Sequence, residues 1–157
     1  TRIIAVDGVP ERLEVARRLG ADITLNFRDC NPVTRIMELT GGKGVDVAIE
    51  ALGTQQTFES CLRVLRPGGT LSSLGVYSGK LSMPLDAIAA GLGDHHIVTT
   101  LCPGGKERMR RLMEVVASGR VDLTAMVTHS FALDDIVEAY ALFAAQKDGV
   151  LKIAIKP

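Results

Sequence analysis

The residue with the clearest chemical potential stands near the start of the chain. Asp7 follows the run Ile3–Val6, which predicts a short strand that ends in a carboxylate. At the carboxyl end of a parallel strand, such a side chain can accept both hydroxyls of a ribose and would repel a 2′-phosphate. Arg12 could lie beside the same ribose and could accommodate a phosphate. The alternative for Asp7 is a solvated residue that caps the helix beginning near Pro10.

Two glycine-containing turns follow predicted strands later in the chain. Glu50-Ala-Leu-Gly-Thr54 ends the strand Val45–Ala51, and Leu74-Gly-Val-Tyr77 ends the strand Thr70–Leu74. The small and apolar residues of the first turn could pack against adenine, with Gly53 allowing a close backbone approach. A simple strand-to-helix turn accounts for them equally well. Ligands of open α/β sheets collect at the carboxyl edges of strands, so the turns together indicate a ligand site more strongly than either alone.

Metal and nucleophile chemistry find little support in the sequence. His95 and His96 are adjacent and would point apart on a strand, and His129 stands alone. The sequence has no Cys-x-x-Cys, no His-x-x-x-His and no Gly-x-Ser-x-Gly motif. We therefore expect no metal site built from this chain. Met109 and Met113 are predicted to fill a core.

Composition excludes several classes of partner. The 157 residues carry a formal net charge of +0, which gives no electrostatic reason to bind nucleic acid or an anionic membrane. No apolar run approaches the roughly 20 residues that span a bilayer. Three cysteines, far apart in the chain, predict a reducing compartment, the cytoplasm, and no disulfide framework.

Alternating strand and helix signals predict an α/β fold with a doubly wound parallel sheet. Asn31 and Thr54 are each expected to cap a helix. The alternation weakens after Gly119, so the tail need not belong to the same sheet. In that tail we predict a strand at Val127–Phe131, a helix capped by Asp134 and a last strand at Val150–Ile155. The helix after Gly105 is expected to bury an apolar face made of Met109, Leu112, Met113 and Val116.

The first strand of a dinucleotide-binding fold has no counterpart in the sequence. The Gly-rich turn that cradles pyrophosphate would come about 20 residues before Asp7, and so before residue 1. In the strand order 3-2-1-4-5-6 the first strand is central, so without it strands 3-2 would part from strands 4-5-6. Two unpaired sheet edges would remain, and we expect that these residues do not fold stably alone.

Taken together, eight stretches resemble the zinc-dependent, medium-chain alcohol dehydrogenases. They occur in order and with the spacing of that family, cover essentially the whole chain, and align with the C-terminal part of a typical member, a little under half of it. Leu101-Cys-Pro-Gly-Gly105 is most similar to the secondary-alcohol branch. The stretches are Ile3–Asp7, Glu11–Leu13, Thr40–Asp46, Ile49–Gly53, Val64–Gly69, Leu101–Gly105, Val127–His129 and Lys152–Ile155.

The resemblance implies an NAD-dependent alcohol dehydrogenase with two parts in this chain. Residues 1–124 would form a partial Rossmann domain, and residues 125–157 would return to the catalytic domain. In the family, an N-terminal domain holds the zinc that polarises the alcohol oxygen, while a hydride passes to the nicotinamide. None of those zinc ligands lies here, so we expect no catalytic residue in this chain and no activity from it alone.

The resemblance also implies which residues meet the cofactor. Asp7 and Arg12 would lie at the adenosine ribose, and Ala51 and Leu52 against the adenine. Lys152 would reach the pyrophosphate. NADP-using relatives in the secondary-alcohol branch have a small residue where this chain has Asp7, which favours NAD. The residues expected along the nicotinamide are Gly75, Val76, Thr100 and Leu101.

Assembly and substrate follow from the same resemblance. Members of the family pair their sheets edge to edge, so a homodimer or homotetramer is expected, with the strand Ile97–Leu101 as the contact. The substrate would be a small, preferably secondary, alcohol or its ketone.

Three other hypotheses stay open on the sequence. The first is a zinc-free reductase of the same superfamily. The second is an S-adenosylmethionine-dependent methyltransferase, which suits the turn Val64–Gly69 but fits Thr128, His129 and Lys152 poorly. The third is a nucleotide-binding or assembly module without turnover.

Overall fold

The computed structural model describes residues 1–100 and 104–157. It divides into two compact units, one made of Thr1–Asp29 with Gly104–Pro157 and the other of Cys30–Pro103. No described helix is long and apolar enough to cross a membrane. In chain order the strands and α-helices are β1 (Ile4–Asp7), α1 (Pro10–Arg18), β2 (Ile23–Asn26), α2 (Pro32–Leu39), β3 (Val45–Glu50), α3 (Gln55–Val64), β4 (Leu65–Ser73), β5 (His96–Thr99), α4 (Lys106–Ala117), β6 (Val127–Ala132), α5 (Ile136–Ala145) and β7 (Lys152–Lys156).

Local sequence explains where the helices begin. Pro10 and Pro32 occupy the first turns of α1 and α2, where a missing N–H costs no hydrogen bond. The Asn31 side chain accepts a hydrogen bond from the Thr34 amide at 3.1 Å, and Thr54 accepts one from the Thr57 amide at 3.2 Å. Both predicted helix caps are therefore confirmed.

Parallel strands are arranged in three separate sheets within the described part of the chain. β1 pairs with β2, β4 lies between β3 and β5, and β6 pairs with β7. The prediction of a parallel, Rossmann-type α/β fold is confirmed.

The unit that contains β3, β4 and β5 has a hydrophobic core between the sheet and α3. Leu71 of β4 is fully buried, and Phe58 and Leu62 of α3 are buried as well. The other side of the sheet is open, because Val47 and Ile49 on β3 remain exposed. β3 is an edge strand of the described sheet because β4 is its only pairing neighbour there, and the sheet buries apolar side chains on one face only.

β4 begins earlier than predicted. It runs from Leu65 rather than from Thr70, because Leu65 also pairs with Val45. The pairing register shifts before Val47 meets Thr70. Gly68 lies in this irregular stretch at φ +70°, a backbone conformation that glycine adopts without strain.

Strands β6 and β7 of the tail form a sheet of their own. They pair with no described strand of the other two sheets, as predicted for the tail. The prediction that Asp134 caps the following helix is wrong. A 3₁₀ turn occupies Leu133–Asp135, so Asp134 lies inside a turn and α5 begins only at Ile136. No side chain caps α5 among the residues described.

The predicted burial of the apolar face of α4 is also wrong. Met109 is 61% exposed and Met113 is 59% exposed, and no residue of α4 is buried. The helical spacing is real, but no described element packs closely against this face. Periodicity reveals that a helix has an apolar face, and it cannot say which part of the molecule covers it.

Candidate functional site

Asp7 lies at the carboxyl end of β1 and holds the turn that follows. Its Oδ1 accepts a hydrogen bond from the Val9 amide at 2.9 Å, an arrangement that favours a tight turn. The N-cap of α1 is Val9, with no side-chain capping bond, so Asp7 stabilises the turn rather than the helix terminus itself. Within the described residues no group donates to Oδ2, which leaves that oxygen available to a ligand hydroxyl.

The turn after β1 is packed against an aromatic ring. A Cβ added to Gly8 would overlap the ring of Phe27, which follows β2. Phe27 is half exposed, so solvent reaches part of its side chain. The sequence analysis did not single out Phe27, since its position depends on the parallel pairing of β1 with β2.

Arg12 and Lys152 belong to the same unit as Asp7. Arg12 donates from Nη2 to the carbonyl of Val150 at 3.3 Å, while its buried Nε has no partner in the described structure. Lys152 is exposed and begins β7. A buried N–H without a partner is costly, so the Arg12 Nε is a donor that an additional oxygen acceptor would satisfy.

The turns after β3 and β4 lie directly against each other. A Cβ added to Gly75 would overlap the backbone nitrogen of Gly53, and a Cβ added to Gly53 would overlap the carbonyl oxygen of Val76. Gly53 also has φ +91°. Gly53 thus makes a close backbone approach to the neighbouring turn, whereas its expected approach to adenine stays a prediction. We call residues 51–53 and 74–77 the turn pair.

Apolar side chains project from the turn pair. Leu52 is 69% exposed and Val76 is 83% exposed. The end of β5 joins this edge, because the Thr100 amide donates to the Ser73 carbonyl at 3.2 Å. Leu101, predicted at the nicotinamide, lies outside the described residues. The unit thus presents exposed apolar groups at the carboxyl edge of its sheet, a surface that suits a planar ring.

A buried carboxylate lies beneath the turn pair. Glu50 is 1% exposed, and its two oxygens accept four hydrogen bonds. Oε2 accepts from the hydroxyl of Tyr77 at 2.6 Å. Oε1 accepts from the amides of Leu52 and Gly53, both at 2.8 Å, and from the hydroxyl of Thr57 at 2.7 Å.

These hydrogen bonds keep Glu50 ionised. Burial alone would raise the pKa of this carboxyl, but its hydrogen bonds outweigh burial and lower the pKa from 4.5 to about 2. Burial and the hydrogen bond to Glu50 raise the pKa of Tyr77, so its hydroxyl stays protonated and donates. Because Thr57 is the third residue of α3, the carboxylate lies at the N-terminal turn of that helix, where a negative charge is favoured.

The position of Glu50 also limits what this turn can bind. A helix N-terminus that follows a strand is a common site for phosphate. Here the Leu52 and Gly53 amides and the Thr57 hydroxyl already serve the Glu50 carboxylate. The turn after β3 is therefore suited to an uncharged, apolar group rather than to an anion.

The sequence analysis named the turn that begins at Glu50 but gave that residue no role. A local signal existed, since an acidic residue ends an apolar strand and a glycine follows three positions later. Cys61 lies close enough to sense the same charge. Burial first, and the charge of Glu50 second, raise the pKa of Cys61 to about 11, so it stays a thiol and is a poor nucleophile.

Cofactor and metal differ in how well these residues suit them. Within its own unit, the Asp7 carboxylate suits the hydroxyls of a ribose, and within the other unit the exposed apolar turn pair suits a flat ring. For a metal, no group of three or more His, Cys, Asp or Glu side chains comes together in the part of the chain that the structure describes.

Described residues of the unit that contains the turn pair line at least two cavities. The larger, about 510 Å³, opens between α2 and α3 and contains none of the predicted site residues. The smaller, about 270 Å³, borders the turn pair. The residues that line the smaller cavity are Gly53, Thr54, Gln55, Tyr77, Ser78, Gly79, Lys80 and Leu81.

Comparison with known proteins gives consistent matches. The family described as zinc-binding dehydrogenase matches residues 1–118. An alcohol dehydrogenase from Cupriavidus necator is 71% identical over all of this chain, which spans 43% of that protein. An NADP-dependent isopropanol dehydrogenase from Thermoanaerobacter brockii is 36% identical over 96% of this chain and 44% of that protein.

Solved structures agree with the sequence comparisons. A zinc-dependent alcohol dehydrogenase from Streptococcus pneumonia is 31% identical and has a TM-score of 0.87, covering 99% of this chain and 44% of that one. The chain thus spans less than half the length of these relatives. The resemblance drawn from the sequence motifs is confirmed: this chain belongs to the zinc-binding dehydrogenase family.

Proposed function

We propose that the intact protein carrying this chain is an NAD-dependent alcohol dehydrogenase that acts on a small, preferably secondary, alcohol or its ketone. Membership of the family supports an alcohol oxidoreductase. The observation that carries the choice of cofactor is Asp7, a carboxylate at the carboxyl end of β1 with one oxygen to which no described residue donates. NAD, when bound, would supply the acceptor for a hydride.

In this proposal the residues of the chain bind and orient the cofactor. Asp7 accepts hydrogen bonds from the adenosine ribose, with Arg12 beside it. Ala51 and Leu52 cover the adenine, and Lys152 reaches the pyrophosphate. The nicotinamide would lie along Gly75, Val76, Thr100 and Leu101.

The remaining parts of the proposal concern organisation. Residues 1–124 would form the cofactor domain and residues 125–157 a segment of the catalytic domain. Zinc, where the family holds it, would be bound by residues outside this chain. The protein would be a cytoplasmic homodimer or homotetramer that pairs along β5, an edge strand of its described sheet.

The test is a turnover assay with the intact protein. Oxidation of 2-propanol should be accompanied by reduction of NAD, followed by the absorbance of NADH. Turnover that survives thorough removal of zinc, checked by metal analysis, would favour a zinc-free reductase. Binding of S-adenosylmethionine in place of NADH would contradict the proposal and favour a methyltransferase.

A further inference from the structure

The turn pair is joined through a side chain that solvent barely reaches. Glu50 is 1% exposed, so no ligand can touch it. Its Oε1 holds the turn after β3 through the amides of Leu52 and Gly53. Its Oε2 accepts from Tyr77 in the turn after β4. One carboxylate therefore binds both turns at once.

The connection continues into the sheet. The single proton of the Tyr77 hydroxyl is donated to Glu50, so the 2.7 Å contact between Ser73 and Tyr77 must be a bond donated by Ser73. Ser73 is buried and lies opposite Glu50 in the pairing of β3 with β4. The Tyr77 ring also meets Phe58 edge to face, with centroids 5.9 Å apart. Tyr77 is thus fixed at its hydroxyl and at its ring.

We propose that Glu50 is a positioning residue for the cofactor, acting through Tyr77. It sets the spacing between the turn after β3 and the turn after β4, and so between the surfaces for the adenine and the nicotinamide. This inference rests on the proposed function, in which Leu52 and Val76 face opposite ends of the dinucleotide.

The exposure of two apolar side chains explains why positioning by Glu50 would matter. Leu52 and Val76 are both largely exposed, so little packing of their own holds them in place. Their positions are set by the backbone of the two turns, which Glu50 fixes from below. Surfaces held in place before binding gain affinity because less ordering is needed when the ligand arrives.

The test compares a ligand that spans both turns with one that meets only the first. NADH and AMP are titrated against the intact protein and its Tyr77→Phe variant, which keeps the ring and removes the bond to Glu50. We expect NADH to bind roughly tenfold more weakly, as for loss of one hydrogen bond to a charged group, and AMP to change by less than about twofold. The KM for NAD should rise while the KM for the alcohol stays unchanged.

Two further variants keep the test sharp. Tyr140→Phe removes the hydroxyl of the other tyrosine, which is exposed on α5, and should change neither affinity. Glu50→Gln keeps one acceptor for the first turn but loses the acceptor for Tyr77, so it should repeat the selective loss of NADH affinity. It also serves if Tyr77→Phe does not fold.

The contrary results are distinct. Equal weakening of NADH and AMP would assign Glu50 and Tyr77 a general structural role and overturn the inference, as would unchanged NADH affinity in both variants. Failure of the wild-type protein to bind NADH would instead overturn the proposed function itself, and the positioning role with it, before any variant is compared.

Discussion

Asp7 and Glu50 both lie where a parallel strand ends, yet their surroundings differ. Asp7 has one backbone donor, at 2.9 Å, and no described residue donates to its second oxygen. Glu50 is buried, and its oxygens receive donors from two turns and from the first turn of α3. The same chemical group at the same topological position therefore holds the fold in one region, and in the other it is the group that we propose for the cofactor. The number of protein donors decides which.

Removing each carboxylate in turn should give the largest difference between the two regions in the free energy of unfolding. Glu50→Ala leaves two amides and two hydroxyls without their acceptor, and we expect a loss of about 3 kcal/mol in the free energy of unfolding. Asp7→Ala gives up one partly buried hydrogen bond and should cost less than about 1 kcal/mol. Urea denaturation of the intact protein and both variants measures the difference, and equal losses would refute the contrast.

The stability of the protein in acid should also depend on Glu50, and the Glu50→Gln variant tests this with little change in the shape of the side chain. The pKa of Glu50 is about 2 in the folded protein and 4.5 ordinarily, so its ionised form stabilises the fold above about pH 4.5. That contribution, roughly 3 kcal/mol, is lost as the pH falls from about 4.5 through about 2. Glu50→Gln should therefore be less sensitive to acid over this range than the wild type, as measured by urea midpoints. Parallel curves would show that Glu50 is not held ionised.

Glycine substitutions test how rigid each turn is. Gly75→Ala would press a Cβ into the backbone of Gly53, which cannot move freely, and should cost about 2 kcal/mol in unfolding free energy. The nearest atoms to a Cβ in Gly8→Ala belong to the ring of Phe27, a side chain that is half exposed and can rotate away, so less than about 1 kcal/mol is expected. Gly79→Ala is the control, because a Cβ there has nothing within 4 Å. If Gly8→Ala lowered the free energy of unfolding and Gly75→Ala did not, the turn after β1 would be the rigid one and the turn after β4 would not.

The helix caps provide the smallest effect. α3 has a side-chain cap at Thr54, whereas α1 begins at Val9 without one. Thr54→Ala should lower the free energy of unfolding by about 1 kcal/mol, while Thr54→Ser, which keeps the hydroxyl, should stay close to the wild type. Val9→Ala should leave the start of α1 unaffected, as judged by hydrogen exchange in its first turn.

Local features of the fold could be read from the sequence. The caps at Asn31 and Thr54 depend on a few consecutive residues, and the structure confirms both. The parallel α/β class followed from alternating strand and helix signals. One wrong prediction concerns which part of the molecule packs against a helix. The apolar residues of α4 have the expected helical spacing, but none of them is buried. Asp134 failed as a cap because a 3₁₀ turn takes its place.

The site was only partly predictable for a related reason. Gly53 could be read as a point of close approach, but its partner, Val76, is brought there by the pairing of β3 with β4. Glu50 gains its role through Tyr77, which is 27 residues away in the chain. No local pattern specifies such a contact. The residues proposed to meet the cofactor therefore came from the family resemblance, while the group that holds them came from the structure.

The most direct test of the central claim is the ratio of the dissociation constants of NADH and NADPH, measured on the intact protein. If the second oxygen of Asp7 accepts a hydrogen bond from the adenosine ribose, NADH should bind at least about tenfold more tightly than NADPH. The reason is that a carboxylate there repels the 2′-phosphate of NADPH. Asp7→Gly should bring the ratio close to one. Tighter binding of NADPH by the wild-type protein would contradict the account.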